Sequence, residues 1–274
     1  MEKTDVNGVE LQYEVTGAGE AVLLVATGPI ADSFFPLLCE PALAERYSLI
    51  RYRQRRFKDG KGGPTPVSFA EHASDAAALL EQLGIRRAHV VGHSTGADIA
   101  LQLAVQRPDI VNTLALLEPP LASAPGAGAF FEKAGPAVAS YSAGDLDGAM
   151  STFLSVACSL DWESCRAVID RHVPGAVAEA MRNVDNFFES YLPAITLWQF
   201  GANEAAAISQ PVLSMLGGET DPWFVDGDAV LGSWFPQLER SRIEGVAHLL
   251  HMQRPAPVAE ALAAFFARHP VDGV

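Results

Sequence analysis

The stretch Gly92-His93-Ser94-Thr95-Gly96 forms a Gly-x-Ser-x-Gly motif between a predicted strand and a predicted helix. The β-branched run 88–91 before it is typical of a buried strand, and the Ala- and Leu-rich run 97–106 after it predicts a helix. A sharp strand-to-helix turn needs glycine on both sides and holds the serine hydroxyl above the sheet. We therefore expect Ser94 to be a nucleophile, with capping of the helix by its hydroxyl as the alternative.

Length and composition predict one large α/β domain, or one such domain that carries an insertion. The chain has 274 residues, of which 49% are hydrophobic and 19% charged, so it can bury a large core. No apolar run approaches the roughly 20 residues that span a bilayer, and the first residues lack a signal-peptide profile. Three cysteines make a disulfide framework improbable, which favours a cytoplasmic location. The net charge of −14 argues against nucleic-acid and membrane partners.

Predicted strands and helices alternate along most of the chain. Asn7-Gly8 between two alternating runs predicts a hairpin, and residues 60–66 predict a surface loop. Ser68 and Glu71 form a capping box that begins a helix. Six apolar runs predict further strands, at 21–26, 48–52, 88–91, 112–117, 211–216 and 238–243. This order predicts a mostly parallel sheet flanked by helices.

Two polar features receive structural interpretations. The basic cluster 51–56 is isolated in an acidic chain, so we expect it to form salt bridges with acidic loops rather than to bind nucleic acid. His72, in the first turn of a predicted helix, is expected to be solvated.

Residues 119–210 differ in character from the rest of the chain. They contain helix-length segments and no strand-like run, and they are too long for a simple connection. We expect a helical cap inserted over the site, with residues 1–118 and 211–274 as the core. Its aromatic side chains could line an apolar substrate pocket or pack the cap onto itself. The candidates are Phe130, Phe131, Phe187, Phe188, Tyr191, Trp198 and, just beyond the insertion, Trp223.

A nucleophilic serine needs a base, and the base needs an orienting carboxylate. In a parallel sheet, cooperating groups lie in loops at the carboxyl ends of strands. Glu118, Asp221 and His248 occupy such positions. His251, close behind His248, is the second candidate for the base.

With these motifs the chain resembles the α/β-hydrolase superfamily over nearly its whole length. The likeness is carried by residues 92–96, by 217–222 after a strand, by 246–248 near the end and by the place of the cap. The order Ser, acid, His is the family order. The resemblance implies Ser94 as nucleophile and His248 as base, and it favours Asp221, in the commonest position, over Glu118. Glu118 resembles the acid of some hydrolases, including zearalenone-type lactonases.

The resemblance also implies an oxyanion hole. The backbone N–H of Thr95 would be one donor, and the second would come from the loop Thr27-Gly28-Pro29-Ile30, where many relatives carry His-Gly. Pro29 has no N–H, so Gly28 or Ile30 is expected to donate. Zearalenone-type lactonases likewise replace the histidine.

Serine at this motif implies acyl transfer. We expect hydrolysis of an ester or lactone of a medium-sized apolar substrate through an acyl-enzyme, by a monomer or homodimer. The sequence shows no metal-ligand cluster and no phosphate-binding glycine loop, so no metal or cofactor is expected. A C–C bond hydrolase or perhydrolase with the same residues is an alternative, and a ligand receptor on this scaffold is an alternative of another class.

Overall fold

The computed structural model of the protein describes residues 1–56 and 66–271. The surface loop predicted at 60–66 lies, apart from Pro66, outside these residues. Across the described residues, no helix has both the length and the apolar character needed to cross a membrane.

The core of the described chain is one sheet of eight strands. They are β1 Glu2–Val6, β2 Val9–Thr16, β3 Glu20–Val25, β4 Tyr47–Arg53, β5 Ala88–His93, β6 Val111–Leu117, β7 Val212–Gly217 and β8 Glu239–Ile243. Their spatial order is β1-β2-β4-β3-β5-β6-β7-β8. β2 is antiparallel to β1 and β4, and the remaining neighbours are parallel. The mostly parallel sheet is thus confirmed, and the carboxyl ends of β5, β6, β7 and β8 lie along one edge.

The β1–β2 hairpin turns at the predicted place. Asn7 and Gly8 have φ angles of 49° and 76°. Positive φ at both central residues is typical of the tight turn whose twist matches that of the strands. The Asn-Gly pair therefore fixes the register in which Val6 pairs with Val9.

Helices cover both faces of the sheet. Alternate side chains of β3 point to opposite cores: Leu23 and Val25 join one hydrophobic cluster, Val22 and Leu24 the other. In chain order the helices are α1 Pro41–Ala44, α2 Phe69–Gln82, α3 Thr95–Gln106, α4 Ala127–Ser142, α5 Leu146–Cys158, α6 Trp162–His172, α7 Ala176–Arg182, α8 Val184–Asn186, α9 Leu192–Leu197, α10 Ala202–Ala205, α11 Pro222–Trp234, α12 Leu250–Gln253 and α13 Pro255–Arg268. Short 3₁₀ and π segments occupy Phe35–Cys39 and Phe187–Tyr191.

All the helices from α4 to α10 lie between β6 and β7, in the part of the chain that we call the insertion (residues 119–210). Pro136 lies inside α4, and an internal proline usually argues against a helix. Phe130, Phe153 and Phe187 of the insertion pack in the same cluster as the α2–α3 face of the sheet.

The basic cluster forms the predicted salt bridges. Arg53 pairs with Asp32, at 2.6 Å, and with Glu179 of α7, at 2.5 Å, so it links the core to the insertion. Arg55 pairs with the buried Asp75 of α2 at 2.6 Å. These contacts confirm that the charges serve the fold.

The prediction for His72 is wrong. Its side chain is buried, and its ring stacks on that of Tyr191 with centroids 5.1 Å apart. Tyr191 belongs to the π segment of the insertion, which covers the start of α2. The helical pattern of α2 alone could not reveal that distant cover.

Candidate active site

Ser94 lies at a strained turn between β5 and α3, which we call the elbow (residues 92–96). Its φ and ψ are 53° and −128°, unusual for a residue with a side chain. A Cβ on Gly92 would lie 2.3 Å from the carbonyl oxygen of Gly96, and one on Gly96 would lie 2.1 Å from that of Val25. Both glycines are therefore required. The Ser94 side chain makes no capping hydrogen bond to α3, so the capping alternative is not supported.

His248 lies against a buried carboxylate. Its Nδ1 is 2.6 Å from Oε2 of Glu118, the residue that follows β6. Both side chains are buried. The backbone N–H of Gly217 donates to Oε1 of Glu118 at 2.7 Å, and the hydroxyl of Thr220 donates to Oε2 at 2.8 Å. The carboxylate is thus held from three sides and aimed at the imidazole.

The structure corrects the expectation that Asp221 orients His248. Oδ1 of Asp221 accepts the N–H of Trp223 at 3.0 Å and caps α11, while Oδ2 is 2.7 Å from Nζ of Lys133 in the insertion. Since α11 begins at Pro222, the Asp221 side chain is used at that helix terminus. The acid that contacts the imidazole therefore comes from before the insertion.

Two further histidines pack beside His248. His93 donates from Nε2 to the backbone carbonyl of His248 at 2.9 Å, and the two rings lie 4.6 Å apart. His251 packs on His93 at 4.3 Å, and its ring nitrogens have no hydrogen-bond partner in the described chain. Burial lowers the pKa of His251 to about 3 and that of His93 well below its ordinary value. Among the described residues, no hydrogen bond thus joins His251, the second candidate base, to a carboxylate.

Because of these buried histidines, we expect the free energy of unfolding to fall in mild acid. Burial lowers the pKa of His72, like that of His251, to about 3. Below pH 6.5 the unfolded chain takes up protons that the folded chain excludes, so the free energy of unfolding falls as pH falls. We expect the two histidines together to cost about 3 kcal/mol between pH 7.5 and 5.5 in urea unfolding.

The matched comparison is His251→Gln, which should remove about 1.4 kcal/mol of this pH dependence, against His172→Gln at the partly exposed end of α6, which should leave it unchanged. An equal pH dependence in wild type and His251→Gln would contradict the explanation.

The loop after β3 departs from the expected oxyanion arrangement. The N–H of Gly28, expected to point at substrate, donates instead to Oγ1 of Thr95 at 2.9 Å. The N–H of Ile30 donates to the carbonyl of Thr27 at 3.3 Å. The backbone N–H of Thr95, at the first position of α3, is of the kind that a helix leaves without an intrahelical partner.

Ser94 lines a small apolar cavity of about 20 Å³ that lies between the core and the insertion. Phe224, one of its lining residues, stacks on the His248 ring with centroids 4.2 Å apart, which places the imidazole beside the cavity. The lining residues are Thr27, Ser94, Thr95, Pro120, Phe130, Phe131, Phe153, Phe187, Leu192, Ile195, Trp223 and Phe224. Of the aromatic candidates, Phe130, Phe131, Phe187 and Trp223 lie here. Phe188 instead stacks on Tyr141, and Tyr191 stacks on His72.

Trp198, expected in the same pocket, lies elsewhere. Its indole N–H donates to Gln102 of α3 at 2.7 Å, and it lines a separate surface groove with Val67 and Leu197. The reason is that α9 ends at Leu197 and leads the chain away from the cavity. Phe153 and Phe224 were missed as lining residues, because they are indistinguishable in sequence from packing aromatics.

Comparison with known families agrees with this architecture. The sequence profile of the alpha/beta hydrolase fold matches residues 22–255. The chain belongs to the alpha/beta hydrolase family.

Individual relatives are more distant. A Caulobacter segnis protein provisionally named carbamate hydrolase RutD is 33% identical over 114 residues, which span 38% of this chain and 41% of that protein. Est816, described as an N-acyl homoserine lactone degrading enzyme, superposes with a TM-score of 0.72 at 24% identity, over 96% of this chain and 100% of its own. The enol-lactonase of Burkholderia xenovorans LB400 superposes with a TM-score of 0.73 at 20% identity, over 97% of this chain and 100% of its own. At these identities the two structures show a shared fold.

Proposed function

We propose that this protein is a serine hydrolase that cleaves a carboxylic ester or lactone of a medium-sized apolar substrate through an acyl-enzyme. The observation that carries the proposal is the strained placement of Ser94 at an apolar cavity, together with an imidazole that stacks on Phe224 of the same cavity and is held 2.6 Å from a buried carboxylate. The esterases and lactonases among structures of the same fold support this class of reaction.

In the proposed mechanism, Oγ of Ser94 attacks the carbonyl carbon while Nε2 of His248 accepts its proton. Glu118 holds Nδ1 of His248 in the protonated form and stabilises the imidazolium. The imidazolium then protonates the leaving alcohol, and an acyl-enzyme remains. Water attacks this ester with His248 again as base, which releases the acid and restores Ser94. We assign no part in proton transfer to Asp221.

The insertion acts in this proposal as a cap. A cavity of about 20 Å³ has room for about one water molecule. Any ester is larger, so we infer that substrate entry involves movement of the lining side chains and of the insertion that carries most of them. The ion pairs of Arg53 with Asp32 and Glu179 then join the moving and fixed parts. The aromatic lining of the cavity favours an apolar acyl group over a charged one.

The proposal is tested with a fluorophosphonate probe followed by peptide mapping. We expect one covalent adduct, on Ser94, and a parallel loss of activity against aryl esters. Simple esters, macrocyclic lactones and vinylogous diketones assayed with the same preparation would separate ester, lactone and C–C cleavage. An adduct on another residue, or no adduct in a preparation that hydrolyses esters, would refute the assigned nucleophile. Slow single turnover of every substrate would favour the receptor alternative.

A further inference from the structure

The proposed acyl transfer needs donors for the oxyanion, and neither of the two expected backbone donors of the loop after β3, Gly28 and Ile30, is free. Pro29 has no N–H. The N–H groups of Gly28 and Ile30 donate to Oγ1 of Thr95 and to the carbonyl of Thr27. Oxyanion holes act through preorganised donors aimed at the developing charge. Both expected backbone donors are thus already used, so a side-chain hydroxyl at the cavity is the alternative second donor.

The side chain of Thr95 has the required properties. A threonine hydroxyl has one O–H to donate and lone pairs that accept. Within residues 1–56 and 66–271, the one hydrogen-bond partner of Thr95 Oγ1 is the N–H of Gly28, which donates to it at 2.9 Å. The bond to Gly28 therefore occupies a lone pair and leaves the O–H to donate. Thr95 lines the cavity together with Ser94.

We propose that the hydroxyl of Thr95 is the second oxyanion donor, and that Gly28 acts by orienting it. This inference rests on the proposed serine hydrolase function. As the bond between Ser94 Oγ and the carbonyl carbon forms, the π electron pair moves to the carbonyl oxygen. That oxygen accepts hydrogen bonds from the O–H and the backbone N–H of Thr95. No proton leaves Thr95, and both bonds weaken when the carbonyl re-forms.

Three features prepare this hydroxyl for the task. Thr95 is β-branched, so its χ1 angle is restricted before substrate arrives. The N–H of Gly28 fixes Oγ1 and polarises the O–H, since hydrogen bonds in a chain strengthen one another. Thr95 is the first residue of α3, where the helix dipole favours negative charge.

The test compares variants that differ in the hydroxyl. Thr95→Val keeps the branched shape and the backbone N–H, and should lower kcat by about 100-fold with little change in KM. Thr95→Ala should show a similar loss. Thr95→Ser restores the O–H and should recover most of the activity. Thr113→Val, which removes a buried hydroxyl from β6 away from the site, is the matched control and should stay near wild type.

A trifluoromethyl ketone provides a readout that a structural role would not change. The ketone forms a hemiketal oxyanion with Ser94, and Thr95→Val should bind this inhibitor more weakly than wild type, by the same factor as its loss in kcat/KM. The affinity of the variant for the product acid should equal that of wild type. Full activity of Thr95→Val would overturn the inference, because the released N–H of Gly28 would then serve alone. A loss of kcat in Thr27→Val together with an unchanged kcat in Thr95→Val would also overturn the inference. An active Ser94→Ala protein would instead refute the proposed function itself.

Discussion

Replacing Ser94 by alanine should lower kcat for an aryl ester by at least about 10⁴-fold, the largest effect that we expect from a single substitution. The change removes the atom that forms the acyl bond and leaves His248 and Glu118 in place. The protein should still fold, because the Ser94 side chain makes no capping hydrogen bond that alanine would lose. Steady-state hydrolysis by rigorously purified protein measures the first effect, and urea unfolding measures the second.

The matched control is Ser74→Ala, which removes an exposed hydroxyl from α2. It should leave both kcat and the free energy of unfolding near the wild-type values. Retained turnover in folded Ser94→Ala protein would contradict the nucleophile. Loss of folding in that variant would point to a structural role for the serine at the elbow.

Replacing Glu118 by glutamine should lower kcat by about 10³- to 10⁴-fold, whereas Asp221→Asn should change it less than about threefold. A neutral amide at position 118 loses the charge that stabilises the imidazolium, and its NH₂ group favours the wrong tautomer of His248. At position 221, asparagine keeps the cap of α11 and loses the contact with Lys133, which is half exposed and contributes about 1 kcal/mol or less to stability.

The pH profile of kcat/KM separates these roles further. The acidic limb, on which activity falls as the general base takes up a proton, should shift in Glu118→Gln and stay fixed in Asp221→Asn. Circular dichroism and urea unfolding of both variants control for misfolding, since Gly217 and Thr220 also donate to Glu118. A large loss of kcat in Asp221→Asn alone would restore the assignment that the sequence favoured.

The elbow and the sheet were predictable because their determinants are local. Gly92 and Gly96 meet backbone atoms within a few residues or on the adjacent strand, and the alternation of apolar runs specifies a parallel sheet whatever covers it. The order of strands placed Glu118, Asp221 and His248 at one edge, as the structure shows.

The choice between the two acids was not predictable from spacing alone. It depends on which side chain reaches His248 after the loop at 217–222 has turned into α11, a tertiary outcome. The hydrogen bond that the N–H of Gly28 donates was not predictable either, because its acceptor, Thr95, is 67 residues away. Burial of His72 under Tyr191, and the departure of Trp198 from the cavity, likewise depend on how the insertion folds back over the core.

The position of Glu118 directly after β6 has a consequence for how such a chain tolerates change in length. The proposed nucleophile Ser94 and the proposed acid Glu118 both precede the insertion, directly after the paired neighbouring strands β5 and β6. Lengthening or shortening the segment between β6 and β7 alters neither their separation nor their register. Evolution and protein engineering can therefore remodel the ninety-odd residues above the site as an interchangeable module. The aspartate after β7 then remains available to fasten each new version to the core.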